Sequence, residues 1–280
     1  MGREENVKIF LETMDYISRS PFLSGAVRVS NATQEMIREG DNDYSADEEI
    51  HRYDEPAKVI VSMNRTFAAA AHYKGNRTCV HNFANAKHPG GGVAKGATAQ
   101  EESLCRCSTL YCSLSTNEMY ERFYGPHRQE KNIIYNGDII YTPGVYVFRT
   151  DDGEMNVMNE DEWYSVNVIT CAAPNLSNPG EYFISGMKSP KWGKPSDEDL
   201  FAIHERRLAG IMKAACDREN EVIILGAFGC GAFANNPEIV AEASMNVVDR
   251  YLYSFKTIEF AVYCSPRDRR NYDVFMKKFL

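Results

Sequence analysis

The chain has 280 residues, 44% of them apolar and 11% aromatic, enough to bury the core of one large domain or two. Its net charge is −8 and the excess acid is N-terminal: residues 1–55 carry 6 Lys/Arg against 13 Asp/Glu, leaving 25 against 26 for the rest. No stretch approaches the ~20 apolar residues of a membrane span, no basic stripe suits a generic nucleic-acid binder, and the polar start Met1-Gly2-Arg3-Glu4-Glu5-Asn6 is unlike a signal peptide, so a cytoplasmic protein without membrane or direct nucleic-acid contact is expected.

Residues 6–19 place Val7, Ile9, Phe10, Met14 and Ile17 at helical spacing. From Pro21 to Pro56 the periodicity fades, and Asp41-Asn42-Asp43 and Asp47-Glu48-Glu49 suggest exposed loop wrapping the core. Strand and helix then alternate: a strand at 58–61, a helix over 66–73, a strand at 77–83, and a helix over 101–114 with Leu104, Ser108, Tyr111 and Leu114 in register. Ile133–Tyr135, Asp138–Tyr141 and Val145–Arg149, with Thr142-Pro143-Gly144 as a turn, predict a hairpin or meander. Tyr164–Cys171 is a strong strand stopped by Pro174, and 177–196 reads as a loop or insertion. Ser196 caps a helix to about Glu219; a buried strand at 221–225, a helix from Pro237, a strand at 258–263 and a helix over 268–279 complete the chain. Alternation without repeat or linker predicts an α/β chain of three α/β/α layers around a mixed sheet. Residues 1–56 form a helical and irregular N-terminal extension packed on a domain spanning 57–280.

The eight cysteines lack CxxC pairs and several lie in apolar segments, so they are expected to be reduced packing groups, with no metal and no cofactor. Two glycine-rich stretches stand at strand–helix junctions, where free N–H groups and the helix dipole favour an anion. The first runs from Asn85 through Gly90, Gly91, Gly92 and Val93 to Gln100-Glu101-Glu102 in a first helical turn. The second is Gly226-Ala227-Phe228-Gly229-Cys230-Gly231-Ala232-Phe233. Gly229-x-Gly231-x-x-Ala234 also fits the dinucleotide fingerprint, but the next strand ends Val262-Tyr263-Cys264 without the acid that would hold a ribose. Acids suit any helix start; a triple glycine seven residues before the pair is something capping does not require. His81 and His88 flank the first loop as bystanders, Phe228 suits either ligand or core, and Cys230 sits between glycines for its size.

Gly90-Gly91-Gly92, seven residues and Gln100-Glu101-Glu102, with Asn82-Phe83-Ala84-Asn85 and the 226–233 loop, resemble the microbial-type catalytic domain of poly(ADP-ribose) glycohydrolases, a macrodomain fold. The likeness runs from about Val59 to Leu280 and more loosely over the N-terminal part. It implies a glycosidase that cleaves the ribose–ribose O-glycosidic bond and releases ADP-ribose from chain ends. Its substrates and partners would be ADP-ribose, poly(ADP-ribose) and ADP-ribosylated proteins. By the same resemblance Glu102 is the catalytic acid and Glu101 orients the ribose. Asn85 holds ribose hydroxyls, Gly90–Val93 shape the catalytic loop, and Gln100 counts among the ligand-binding residues. Gly229, Cys230, Gly231 and Ala232 wrap the diphosphate, with Phe233 on the adjoining ribose.

The implied chemistry is coherent: breaking an acetal builds an oxocarbenium-like centre and charge on the leaving oxygen, which calls for a protonated carboxylic acid there. A neighbouring carboxylate and a substrate diphosphate both favour that protonated form. Two rivals share the motifs: a hydrolase of another ADP-ribose conjugate (a mono-ADP-ribosyl side chain, a nucleobase or an O-acyl ester) and a non-catalytic ADP-ribose reader, which would need no acid.

Overall fold

The computed structural model describes residues 2–40, 51–184, 186–265 and 267–280; the two acidic clusters at 41–43 and 47–49 lie outside them. Helices α1 (Arg3–Arg19) and α2 (Pro21–Thr33) lead to a short strand, β1 (Glu35–Ile37). Strand β2 (Lys58–Ser62), helix α3 (Thr66–Ala70) and strand β3 (Thr78–Phe83) follow. Then come α4 (Gln100–Cys107), α5 (Leu110–Leu114), α6 (Asn117–Met119), a π-turn at Tyr120–Tyr124, and α7 (Gly125–Gln129). Strands β4 (Ile139–Val147) and β5 (Tyr164–Cys171) precede a small hairpin, β6 (Gly180–Tyr182) and β7 (Lys191–Gly193). Helix α8 (Asp197–Asp217), strand β8 (Val222–Leu225), helix α9 (Pro237–Arg250), strand β9 (Thr257–Ala261) and helix α10 (Arg270–Phe279) end the chain.

Seven strands form one mixed sheet in the order β1-β4-β5-β3-β8-β9-β2; β1, β4 and β5 pair antiparallel, and β5, β3, β8, β9 and β2 run parallel. Alternate residues feed two cores. Cys79, Ile169, Ile223 and Leu225 pack with α8, α9 and α10 on one face, whereas Val80, Val168, Val222 and Ile224 pack with α1, α3, α4 and α5 on the other. The expected α/β/α layering is therefore present. The five parallel strands also end at one edge of the sheet, so the loops that follow them converge there.

Four readings of the sequence are corrected. Residues 21–33 are helical although Gly25, Val27, Val29 and Thr33 are poor helix formers; Pro21 starts the helix, the Ser20 side chain accepts from Leu23 N, and fully buried Leu23 anchors it. Thr142-Pro143-Gly144 does not reverse the chain but sits inside β4 at a bulge between Thr142 and Val145, the one kind of strand interior that accepts proline. There the Ser30 hydroxyl donates to Gly144 O and Gly144 N donates to Asn167 Oδ1. The helix expected over 101–114 breaks at Ser108, which is extended and bridges to Val147, while Phe148 N donates to Cys107 O. Residues 177–196 hold the β6–β7 hairpin, fastened by Ile133 N donating to Glu181 O.

Candidate active site

The loop after β3 is shaped around two carboxylates. Gln100 clamps the start of α4 to the end of β3: its Oε1 accepts from Phe83 N at 2.9 Å, and its Nε2 donates to His81 O at 2.7 Å and to Thr66 Oγ1 at 3.0 Å. The next two residues are thereby turned inward, and both Glu101 and Glu102 are buried. Glu101 Oε2 accepts from Asn85 N at 2.7 Å and its Oε1 from Asn82 Nδ2 at 3.3 Å. Glu102 Oε1 accepts from Gly92 N at 2.8 Å, whereas its Oε2 is buried and has no partner. Burial pushes the Glu101 carboxyl up to about 8, opposed by the Asn85 N–H and reinforced by the Glu102 charge.

The triple glycine is steric as well as conformational. Gly90 and Gly91 have φ of +65° and +56°. A Cβ on Gly91 would lie 2.5 Å from Glu102 Oε1 and 3.3 Å from Glu101 Oε2, and one on Gly90 would meet Tyr111 at 2.8 Å. The far end of the loop is braced by α1: Asn6 Nδ2 donates to Gly96 O at 3.2 Å, and a Cβ on Gly96 would meet Arg3 O at 2.2 Å. Thr13 Oγ1 donates to the carbonyl of Arg106, whose guanidinium donates to Ala97 O.

The second loop follows β8. Gly229 has φ +77°, and a Cβ there would strike Ala173 at 2.6 Å and Asn235 at 2.7 Å; Gly231 has nothing within 4 Å. Asn235 holds the turn, its Nδ2 donating to Pro174 O and Gly229 O while its Oδ1 pairs with His204 Nε2 at 2.9 Å. Beside the second loop lies a cavity of about 360 Å³, lined from the ends of all five parallel strands: Arg65 after β2, Ala84 after β3, Ala173 after β5, Gly229, Gly231, Ala232 and Phe233 after β8 and Tyr263 after β9. Gln100, Ser103 and Asp151 close its α4 side. Asn85, Gly91, Gly92 and Val93 line a separate cavity of about 340 Å³ with Tyr111 and Tyr120, and Glu101 and Glu102 are in the wall of neither.

The profile of the family described as "Microbial-type PARG, catalytic domain" matches residues 11–150, half of the chain, including the first glycine loop and the carboxylate pair. The chain belongs to this family. It is a glycosidase hydrolase of the poly(ADP-ribose) glycohydrolase type. Solved structures extend the likeness to the second loop. The poly(ADP-ribose) glycohydrolase of Thermomonospora curvata is 27% identical, with a TM-score of 0.84 over 99% of this chain and 100% of that one. The same enzyme bound to the inhibitor ADP-HPD is 28% identical, with a TM-score of 0.80 over the same shares. The Deinococcus radiodurans glycohydrolase in complex with ADP-ribose is 26% identical, with a TM-score of 0.73 over 90% of this chain and 96% of that one. Comparison with curated protein sequences gave no match.

Within this glycohydrolase fold, Asn85, Gly90, Gly91 and Gly92 gather around Glu101 and Glu102, and Gly229, Gly231, Ala232 and Phe233 line the cavity. Asn85 Oδ1 accepts from Lys87 N and His88 N, which orders the turn before the glycines and leaves the amide nitrogen of that side chain available. Val93 offers the loop only backbone, because its side chain is buried in the core beneath. The Gln100 amide is consumed by its clamp. Cys230 carries a thiol pushed up to about 12 by burial, which leaves it un-ionised at neutral pH. Phe228 is core: it packs edge-on against His81 and His204. His81 is fully enclosed, and burial takes its pKa down to about 3, so it is a neutral spacer at neutral pH.

Sequence reasoning missed Asn235, His204 and Asp151. Asp151 is buried, accepting from Phe67 N at 2.9 Å and from Ser103 Oγ at 2.8 Å, and so ties the start of α3 to α4. No local signal marks these residues, because the partners that tie them to other elements lie 31 to 84 positions away. Among the described residues, no cluster of His, Cys, Asp or Glu is fit to hold a metal, and no helix is long and apolar enough to cross a membrane.

Proposed function

We propose that the chain hydrolyses the ribose–ribose O-glycosidic bond of poly(ADP-ribose) from the chain end, releasing ADP-ribose, with Glu102 as acid and then base. The observation that carries this reading is the unpartnered, buried Oε2 of Glu102 beside an Oε1 already held by Gly92 N. Burial holds the Glu101 carboxyl at about 8, so that group keeps its proton at neutral pH beside Glu102. Both Glu101 oxygens already receive N–H donors, whereas Glu102 Oε2 has none and is the oxygen left to face the leaving group. After the bond breaks, the same oxygen takes the proton of the incoming water and the cycle closes. Glu101 and the free Asn85 amide hold ribose hydroxyls. Gly229 to Ala232 present the diphosphate with backbone N–H groups, and Phe233 packs on the adjoining ribose. A cavity of about 360 Å³ suits a single nucleotide-sized ligand. That size, and the complexes of the relatives with ADP-ribose and ADP-HPD, favour release of one terminal unit at a time.

The deciding experiment is Glu102→Gln. Its turnover of poly(ADP-ribose) is expected to fall by about 10³-fold, the scale of general acid–base catalysis, while ADP-ribose affinity stays within a factor of two or so. Unchanged turnover removes Glu102 from the mechanism. Faster release of ADP-ribose from mono-ADP-ribosylated protein than from polymer would reassign the substrate.

A further inference from the structure

The β6–β7 hairpin carries an aromatic and basic surface that the catalytic reading does not use. Trp192 is 78% exposed and Phe183 41%. Lys188, Lys191 and Lys194 flank Trp192, all three exposed, against one carboxylate on the hairpin, Glu181, directly across from Trp192 in the β6–β7 register. Four lysines elsewhere are ion-paired, in Lys8–Glu12, Lys213–Asp217, Lys256–Glu221 and Lys278–Glu242. Among the described residues these three have no ion pair and Trp192 has no ring contact, in a chain whose net charge is −8. An exposed indole and three uncompensated ammonium groups within seven residues are a local inversion of the molecule's charge.

The hairpin also stands beside the site. Asn132 Nδ2 donates to Phe183 O at 3.0 Å and Ile133 N to Glu181 O, so the hairpin is fastened to the 132–135 segment. Tyr135 in that segment packs on Ala84 and Ala86, at the entrance to the catalytic loop. Lys87 Nζ lies 5.8 Å from the Tyr135 ring centre, and Arg128 donates to Lys87 O. Cationic groups therefore continue from the mouth of the site toward the hairpin. A linear polyanion with a base in every repeat matches this surface: its phosphates meet the lysines and a base stacks on the indole.

We infer that the β6–β7 hairpin is a secondary binding site for poly(ADP-ribose), holding units of the chain beyond the one being cleaved. The inference rests on the polymer being the substrate. It assigns Trp192 to base stacking and Lys188, Lys191 and Lys194 to diphosphates, which lowers the KM of long chains without touching the chemistry.

The test compares the full chain with Trp192→Ala and with Lys188→Ser/Lys191→Ser/Lys194→Ser. For each variant, KM and kcat are measured on long polymer and on a two-unit substrate, and binding of labelled, uncleaved polymer is measured in a Glu102→Gln background. The expected result is a rise of about tenfold in KM and Kd for long polymer. The two-unit KM and both kcat values stay unchanged, and the lysine variant loses about 2 from the slope of log K against log salt. Variants that bind long polymer as tightly as the parent, or lose equally on both substrates, overturn the hairpin site. A single-stranded oligonucleotide that displaces the polymer at equal concentration overturns the assignment of the polymer as its occupant. Failure of the catalytic reading is a separate outcome, in which the unmodified chain does not cleave polymer at all.

Discussion

The two glycine loops look alike in sequence and differ in what the glycines make room for. In the first, the space a Cβ would occupy at Gly91 is filled by the protein's own carboxylates, and at Gly90 by Tyr111. In the second, Gly229 is packed as tightly, against Ala173 and Asn235, but Gly231 opens onto nothing within 4 Å. One loop is closed around the acid. The other is closed at its root and open at its tip, where a ligand would approach the backbone. Glycine richness alone does not separate a loop packed against its own carboxylates from one left open at its tip; the neighbours of the missing Cβ do.

Substitutions that fill these spaces break the comparison in graded ways. Gly91→Ala displaces Glu102 and strains a positive φ, so turnover is expected to drop by about 100-fold or more with ADP-ribose binding largely kept, as steady-state kinetics beside calorimetry would show. If Gly91→Ala turned over normally, the first loop would not be shaping the acid. Gly229→Ala acts on the root of the second loop and should lower stability by about 1–3 kcal/mol, read from denaturant melts, with ADP-ribose affinity falling alongside. Gly231→Ala should leave stability within about 0.5 kcal/mol and weaken ADP-ribose binding by a few-fold only, since its Cβ would point where the ligand belongs. A stability loss as large as that of Gly229→Ala would mean that the tip is structural too.

A last effect concerns the proton. A carboxyl raised from 4.5 to about 8 on folding binds more protons folded than unfolded. Its contribution to stability is present below pH 4.5 and is lost as pH rises toward 8. Glu101→Gln removes that loss, so its melting temperature should gain on the unmodified chain steadily between pH 4.5 and 8 and run parallel above. A pH-independent gap would show that buried Glu101 holds no extra proton.

How much of this was legible in the sequence follows distance along the chain. The strands β3, β5, β8 and β9 were readable because each is a short apolar run bounded by breakers, and the carboxylate pair because the glycines that shelter it are ten residues away. Helix α2 was not, because its propensities are weak and its stability comes from Leu23 in a distant core and from Ser30 reaching Gly144. The loop anchor Asn235–His204 and the α3–α4 tie at Asp151 were equally silent: a single buried polar residue has no period, and its partner is set by topology. The cavity itself was out of reach for the same reason, since its walls come from the ends of five strands that become neighbours only when the sheet forms.

Helix α1 braces the far end of the first glycine loop through Asn6 and Arg3 at Gly96. A mechanical load placed there would be transmitted to Gly92 and hence to the acid. A fusion partner attached directly before Arg3 should therefore depress turnover, whereas the same partner joined after the exposed Leu280 should not. The N-terminal helix is a brace for the loop, and where a tag is placed becomes a variable in any measured rate.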